Sequence, residues 1–157
     1  MEKVGIVIVL CFSFLTADTG TLEKVVDGDT LYFYSHGQTV KCRMAYIDTP
    51  ESHRNERSRK KAGRCKSVTL ERMVKGGREA TKHGKTLVMT GKTYRFNVIG
   101  QDRYGRSICV LRLGDITYNE KMVLDGYAVP YWKYIPRPRK RRFKVLVEEA
   151  KRKRAGL

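Results

Sequence analysis

Residues 21–47 read TLEKVVDGDTLYFYSHGQTVKCRMAYI, and the way turn residues punctuate the apolar stretches in this segment decides the fold class. Leu22 to Val26 has the composition of a strand, and Asp27-Gly28, one of the favoured two-residue hairpin signals, follows it. Thr30 to Tyr34 is a second strand, Ser35-His36-Gly37-Gln38 a second turn, and Thr39 to Ile47 a third strand. Three strands joined by tight turns make an antiparallel meander. In a meander the start of the second strand lies beside the end of the third, so Asp29 and Asp48 become neighbours despite their separation along the chain.

Beyond this segment, Ser52 to Lys61 is polar and crowded with Arg54, Arg57, Arg59, Lys60 and Lys61, which reads as a loop or a solvated helix. Helical signals occupy residues 65–90 in two patches, Val68 to Val74 and Ala80 to Val88, divided by Gly76-Gly77. Tyr94 to Ile99 and Ser107 to Leu113 are two further strands. Asn119 to Leu124 is a short helix stopped by Gly126, an aromatic segment runs from Tyr127 to Tyr134, and a last helix is expected from about Arg141 to Arg154. Five strands joined mostly as hairpins, with no strand–helix–strand alternation, predict a mainly β, α+β domain: a five-stranded barrel of the OB type with about three helices. A chain of 157 residues suits one such domain, with a core large enough to stand without staples.

At the other end, Val4 to Leu15 is an apolar run without charge. It is shorter than the roughly 20 residues of a bilayer span but matches the hydrophobic region of an export signal. The expected organisation is a signal peptide, or alternatively an N-terminal anchor, over residues 1–17, followed by a single domain over 18–157 with a basic insertion at about 52–76. Secretion or a periplasmic location is expected. Export would leave Cys42, Cys65 and Cys109, an odd set that predicts one disulfide and one free thiol; the sequence leaves the pairing open, with Cys65–Cys109 the pair put forward and Cys42 and Cys109 otherwise read as small buried hydrophobes.

The chain carries 33 Lys and Arg against 16 Asp and Glu, a formal charge of +17. That excludes an acidic-surface protein and favours polyanionic partners. The charge is uneven: residues 52–95 sum to +11, residues 137–157 to +8, and the remainder to −2. In so basic a chain the carboxylates Asp27, Asp29, Asp48 and Glu51 need a cation if they converge, because like charges that close raise one another's pKa. Hard carboxylate oxygens with no His or Cys among them suit Ca²⁺, Mg²⁺ or Mn²⁺ rather than zinc. Equally, Asp27, Asp29 and Asp48 could do no more than make tight turns, and Arg43 and Arg106 could be ordinary surface charges. Spacing alone leaves both readings open.

Three pieces in order, Val26-Asp27-Gly28-Asp29-Thr30, Arg43 before Asp48-Thr49-Pro50-Glu51, and Asp102-Arg103-Tyr104-Gly105-Arg106, resemble the signature of the staphylococcal nuclease (thermonuclease) family. The segment from Asn119-Glu120 to Gly126 is similar too, and the resemblance covers about residues 21–157. It implies an OB-fold, Ca²⁺-dependent hydrolase of DNA and RNA phosphodiesters that leaves 3′-phosphate ends. By position, Asp29, Asp48 and the carbonyl of Thr49 match the family's calcium ligands, Arg43 and Arg106 its phosphate-binding arginines, and Glu51 its proposed general base. The stretch from about Ser52 to Gly76 is longer than the family's loop there.

The residue types suit that chemistry on their own terms. Negative charge grows on the phosphoryl oxygens as water attacks, and planar guanidiniums can follow it with two hydrogen bonds each. Glu51 lies three residues beyond Asp48 across a Thr-Pro pair, placed to hold a water beside a metal. Asp27 is expected to cap the turn or support the ligands from behind. Arg103 and Tyr104 are candidates to flank the phosphate, and Tyr131 and Trp132 to stack on a base. The expected form is a monomer with no obligate protein partner and not embedded in a membrane. Two other classes compete: a noncatalytic OB module that binds nucleic acid, like the degenerate repeats of Tudor nuclease proteins, and a cationic envelope-binding protein. The first should have lost the carboxylates and arginines, and the second has no use for them.

Overall fold

The computed structural model describes residues 17–64 and 68–156. The expected export segment, apart from Ala17, lies outside the described residues, as does Cys65. In chain order the elements are β1 (Asp18–Asp27), β2 (Thr30–Ser35), β3 (Gln38–Met44), β4 (Ile47–Asp48), α1 (Glu56–Arg64) and α2 (Leu70–Leu87). There follow β5 (Thr93–Gln101), β6 (Ser107–Leu113), β7 (Ile116–Thr117), α3 (Tyr118–Leu124), β8 (Val129–Pro130), a 3-10 turn at Trp132–Tyr134, and α4 (Arg137–Arg152).

The expected meander forms. Asp27 pairs with Thr30 across a turn made by Gly28 and Asp29, and Ser35 pairs with Gln38 across His36 and Gly37. The latter two have φ of 48° and 80°, the left-handed values that a two-residue hairpin turn requires. β1 then pairs with β5, and β5 with β6, both antiparallel. A parallel pairing of β6 with β3 (Cys42 to Ser107, Arg43 to Ile108, Met44 to Cys109) closes five strands into the OB-type barrel. Its interior is filled by Leu22, Leu31, Phe33, Phe96 and Leu111, all without exposure, with Phe33 and Phe96 stacked at 4.8 Å. Tyr118 and Met122 of α3 and Phe143 and Leu146 of α4 belong to the same buried cluster. Each such side chain contributes roughly 1.5–3 kcal/mol by leaving water.

Three local outcomes differ from expectation. The third strand stops at Met44 instead of Ile47: Tyr46 adopts φ 68°, and the chain turns so that β4 leaves the barrel and pairs with β8. Gly76-Gly77 does not divide the helix, because α2 runs unbroken through it. The glycines answer a packing need: a Cβ on Gly77 would overlap the backbone of Glu51 and Ser52. Of the two readings of the polar 52–61 stretch, loop or solvated helix, the helix is the one that forms, as α1. α4 begins at Arg137 rather than Arg141, since Pro138 falls in its first turn, where a missing N–H costs nothing.

The expected Cys65–Cys109 pair is not formed. Cys109 is bonded to Cys42, with Cα atoms 5.5 Å apart, and both residues are fully buried. The parallel seam explains it: β3 and β6 bring the two residues into adjoining registers, a juxtaposition that hairpin arithmetic does not reveal. None of the described helices is long and apolar enough to cross a membrane.

Candidate active site

The barrel end where β2 starts and β3 finishes holds a small polar pocket of about 20 Å³, lined by Asp27, Asp29, Thr30, Arg43, Asp48, Thr49, Pro50, Glu51 and Arg106. It has room for only one or two water-sized species. The meander delivers the first five, because Thr30 and Arg43 are directly paired and Asp48 follows β3 by one short turn. Arg106 arrives by the seam. It immediately precedes Ser107, which pairs with Cys42, so the two arginines come together from opposite ends of the sequence.

Asp29 is held firmly. Its Oδ2 accepts from the backbone N–H of Thr49 at 2.9 Å and the Thr49 hydroxyl at 3.0 Å. Arg43 Nη2 lies 3.2 Å from Asp29 Oδ2 and 3.1 Å from Asp48 Oδ1, so the two carboxylates face one guanidinium nitrogen. Arg43 Nη1 donates to the carbonyls of Met44 and Ile47. Behind this pair, Asp27 Oδ1 accepts from the N–H of Asp29. Burial, and then the charge of Asp29 beside it, push the Asp27 carboxyl up to about 7. The turn is fixed from below by Tyr118, whose buried hydroxyl donates to the Gly28 carbonyl at 3.0 Å. Burial and the two aspartates raise that phenol well above its ordinary range.

Arg106 is aimed by Asp102. The Nε and Nη2 atoms of Arg106 each lie 2.8 Å from Asp102 Oδ2, while Asp102 Oδ1 accepts from the N–H groups of Tyr104 and Arg106. Partial burial alone would raise the Asp102 carboxyl, but these bonds outweigh it and hold it below the usual range.

A residue that sequence reasoning passed over completes the cluster. Lys61, from α1, donates from Nζ to Asp48 Oδ2 at 2.9 Å and to the Thr49 carbonyl at 3.2 Å, and lies 3.0 Å from Glu51 Oε1. Desolvation disfavours its charge, yet Asp48 and Glu51 more than compensate and hold the ammonium above the ordinary lysine range. The one available signal was weak: Ser58 and Lys61 are three apart in a highly basic helix, on the face that turns inward.

The remaining predicted residues do not line the pocket. Arg103 and Tyr104 sit on the β5–β6 turn, where Arg103 Nη2 donates to the Tyr104 hydroxyl at 2.7 Å and its guanidinium covers the Tyr104 ring. Tyr131 and Trp132 follow β8, whose Val129 pairs with Asp48, and both rings are exposed. They form a rim that is tied to the site through β4.

Among the described residues no three carboxylate, imidazole or thiolate groups converge as a metal site by themselves. The candidate donors are Asp29, Asp48 and the Thr49 carbonyl. They fit a hard divalent cation by their chemistry, and two of them already gather around a positive group, the Lys61 ammonium.

The family model for staphylococcal nuclease homologues matches residues 41–157. The chain belongs to the staphylococcal nuclease family. An uncharacterized endonuclease of Escherichia coli is 30% identical over 161 residues, covering all of this chain and 90% of that protein. An uncharacterized protein of Methanocaldococcus jannaschii is 30% identical, with 88% of this chain and 70% of that protein covered. The thermonuclease of Staphylococcus intermedius is 24% identical, with 83% and 68% covered. The protein is therefore a nuclease-family domain with a hydrolase scaffold.

Proposed function

We propose that the chain is a Ca²⁺-dependent nuclease of low sequence preference that hydrolyses DNA and RNA phosphodiesters and leaves 3′-phosphate ends. One observation carries the reading: two arginines, Arg43 and Arg106, and the carboxylate of Glu51 line the same pocket as the oxygen donors Asp29, Asp48 and Thr49. A turn-forming role would explain the aspartates, but not two guanidiniums delivered to them from separate strands.

Asp29, Asp48 and the Thr49 carbonyl would hold the calcium, which when bound supplies positive charge next to the scissile phosphate. Arg106, oriented by Asp102, grips one phosphoryl oxygen, and Arg43 another. Both gain strength as charge builds toward the transition state, which is where an interaction accelerates a reaction. Glu51 orients the attacking water and takes its proton. The hydroxyl ends on phosphorus, the bond to the 5′ oxygen breaks, and the departing oxygen is protonated from solvent. Asp27 keeps the Asp29 turn in shape.

The wider surface suits a polyanion. Arg78, Lys82 and Lys85 follow one another at helical spacing along α2 and line a groove of about 360 Å³ with Val26, Ser52, His53 and Thr81. Ser52 of the groove follows Glu51 of the pocket directly in the chain. Tyr131 and Trp132 offer stacking surfaces on the rim. Such contacts read backbone and ring faces, not base edges, which is why low sequence preference is expected. A monomer that acts outside the cytosol is part of the same proposal, supported by the apolar Val4 to Leu15 run and by the buried Cys42–Cys109 bond.

The test is digestion of short labelled DNA and RNA strands in calcium and in chelator, with chemical identification of the new ends. Cleavage only with calcium and a phosphate on the 3′ side are expected. Binding without cleavage would return the protein to the class of noncatalytic OB modules.

A further inference from the structure

Lys61 sits on two of the three candidate metal donors, Asp48 and the Thr49 carbonyl, while the third, Asp29, faces Arg43. Its Nζ is within 2.9–3.2 Å of Asp48 Oδ2, Glu51 Oε1 and the Thr49 carbonyl, and two of those three oxygens belong to the candidate metal donors. A calcium ion takes its oxygens at about 2.3–2.6 Å and carries two charges. An ammonium and a divalent cation cannot share the same oxygens at these distances without strong repulsion, so one must leave. Glu51 is engaged as well, its Oε1 held 3.0 Å from the ammonium.

The helix that carries Lys61 brings few apolar side chains to the barrel. α1 reads Glu-Arg-Ser-Arg-Lys-Lys-Ala-Gly-Arg, with one apolar side chain in nine residues. Its N-terminus is tied by Asn55 and Ser58, which exchange hydrogen bonds. Nearby, Arg54 pairs with Glu71 at an exposed site, where such a contact is worth little. Among the described residues Lys60 pairs with Glu56 of its own helix, and α1 rests on α2. The Lys61 ammonium ties the second half of α1 to the pocket.

We infer that Lys61 is a tethered cation that covers Asp48 and the Thr49 carbonyl until a divalent ion displaces it, so that docking of α1 and metal binding exclude one another. The inference rests on the metal-dependent reading of the site and deepens it. Metal-free protein keeps its carboxylates neutralised and its general base masked. Metal entry releases Lys61, frees Glu51 toward the substrate and loosens α1 beside the groove. Affinity for the metal is then set by Lys61 as well as by the ligands.

The test needs no activity measurement. Calcium binding is titrated by calorimetry on the wild type, on Lys61→Met, and on Lys60→Met, which removes an equal charge from the same helix outside the pocket. Amide hydrogen exchange of residues 56–64 is followed with and without calcium. Lys61→Met should bind calcium at least about tenfold more tightly than the other two, the equivalent of one charge-assisted hydrogen bond. Calcium should also strip protection from α1 in the wild type. Equal affinities in all three proteins, or α1 protection undiminished at saturating calcium, overturn the inference and leave the metal reading standing. Calcium binding to none of them overturns both.

Discussion

Replacing Cys42 and Cys109 together by Ala tests the seam that brings the two arginines together. The bond closes a loop across a sequence separation of 67, between strands that meet only in the finished barrel. Chain entropy puts the stabilisation from a loop of that size at about 4 kcal/mol. Both sulfurs are fully buried, so the lost packing adds to the cost and does not offset it. For a domain of this length the melting temperature should fall by about 10 °C or more. Urea unfolding of oxidised wild type, reduced wild type and the double variant measures the loss in free energy; reduced wild type should show most of it, and the double variant somewhat more for its missing sulfurs. Peptide mapping of the oxidised protein should find Cys42 joined to Cys109. A loss below about 1 kcal/mol, or a bridge that includes Cys65, would refute the reasoning. Arg43 adjoins Cys42, and Arg106 lies three residues before Cys109, so the variant should also cut cleavage more than a surface change of equal cost in stability.

Gly77→Ala places a methyl group against the Glu51 and Ser52 backbone; it should cost about 1–3 kcal/mol and, by moving Glu51, lower kcat by more than tenfold with little change in KM. Changing Arg78, Lys82 and Lys85 together to Gln should raise KM for long strands more than for dinucleotides and flatten the salt dependence of binding, as measured by fluorescence anisotropy across a salt series. Asp102 is held below its usual pKa by Arg106, so its contribution to stability is present above about pH 5 and is lost as the pH falls through the lowered value. Asp102→Asn should therefore narrow the gap in stability to wild type on acidification, seen by urea unfolding from neutral to acidic pH, and should slow cleavage at neutral pH.

Local chemistry explains what was legible in the sequence. Turn residues at Asp27-Gly28-Asp29 and Ser35-His36-Gly37-Gln38 specify tight hairpins whatever the rest of the chain does, and from them the proximity of Asp29 and Asp48 followed. What depended on distant packing was hidden. Gly76-Gly77 reads as a helix break because glycine is a poor helix former, yet close approach of the Glu51 segment demands a missing side chain inside an unbroken α2. The Cys42–Cys109 bond and the meeting of Arg43 with Arg106 both follow from a parallel pairing that joins strands far apart in sequence. Lys61 was masked by company: in a tract rich in arginine and lysine, its inward turn leaves no more than a weak mark in its spacing from Ser58.

The central claim is that this pocket performs phosphodiester hydrolysis with Glu51 acting on water and Arg106 on the phosphate. Single-turnover cleavage of a short single-stranded DNA at saturating calcium, compared among wild type, Glu51→Gln and Arg106→Lys, tests it most directly. Both variants should bind the strand within a few-fold of wild type and cleave it at least about 100-fold more slowly. Cleavage by both variants at the wild-type rate, or a wild type that binds strand and calcium yet leaves the strand intact, would contradict it.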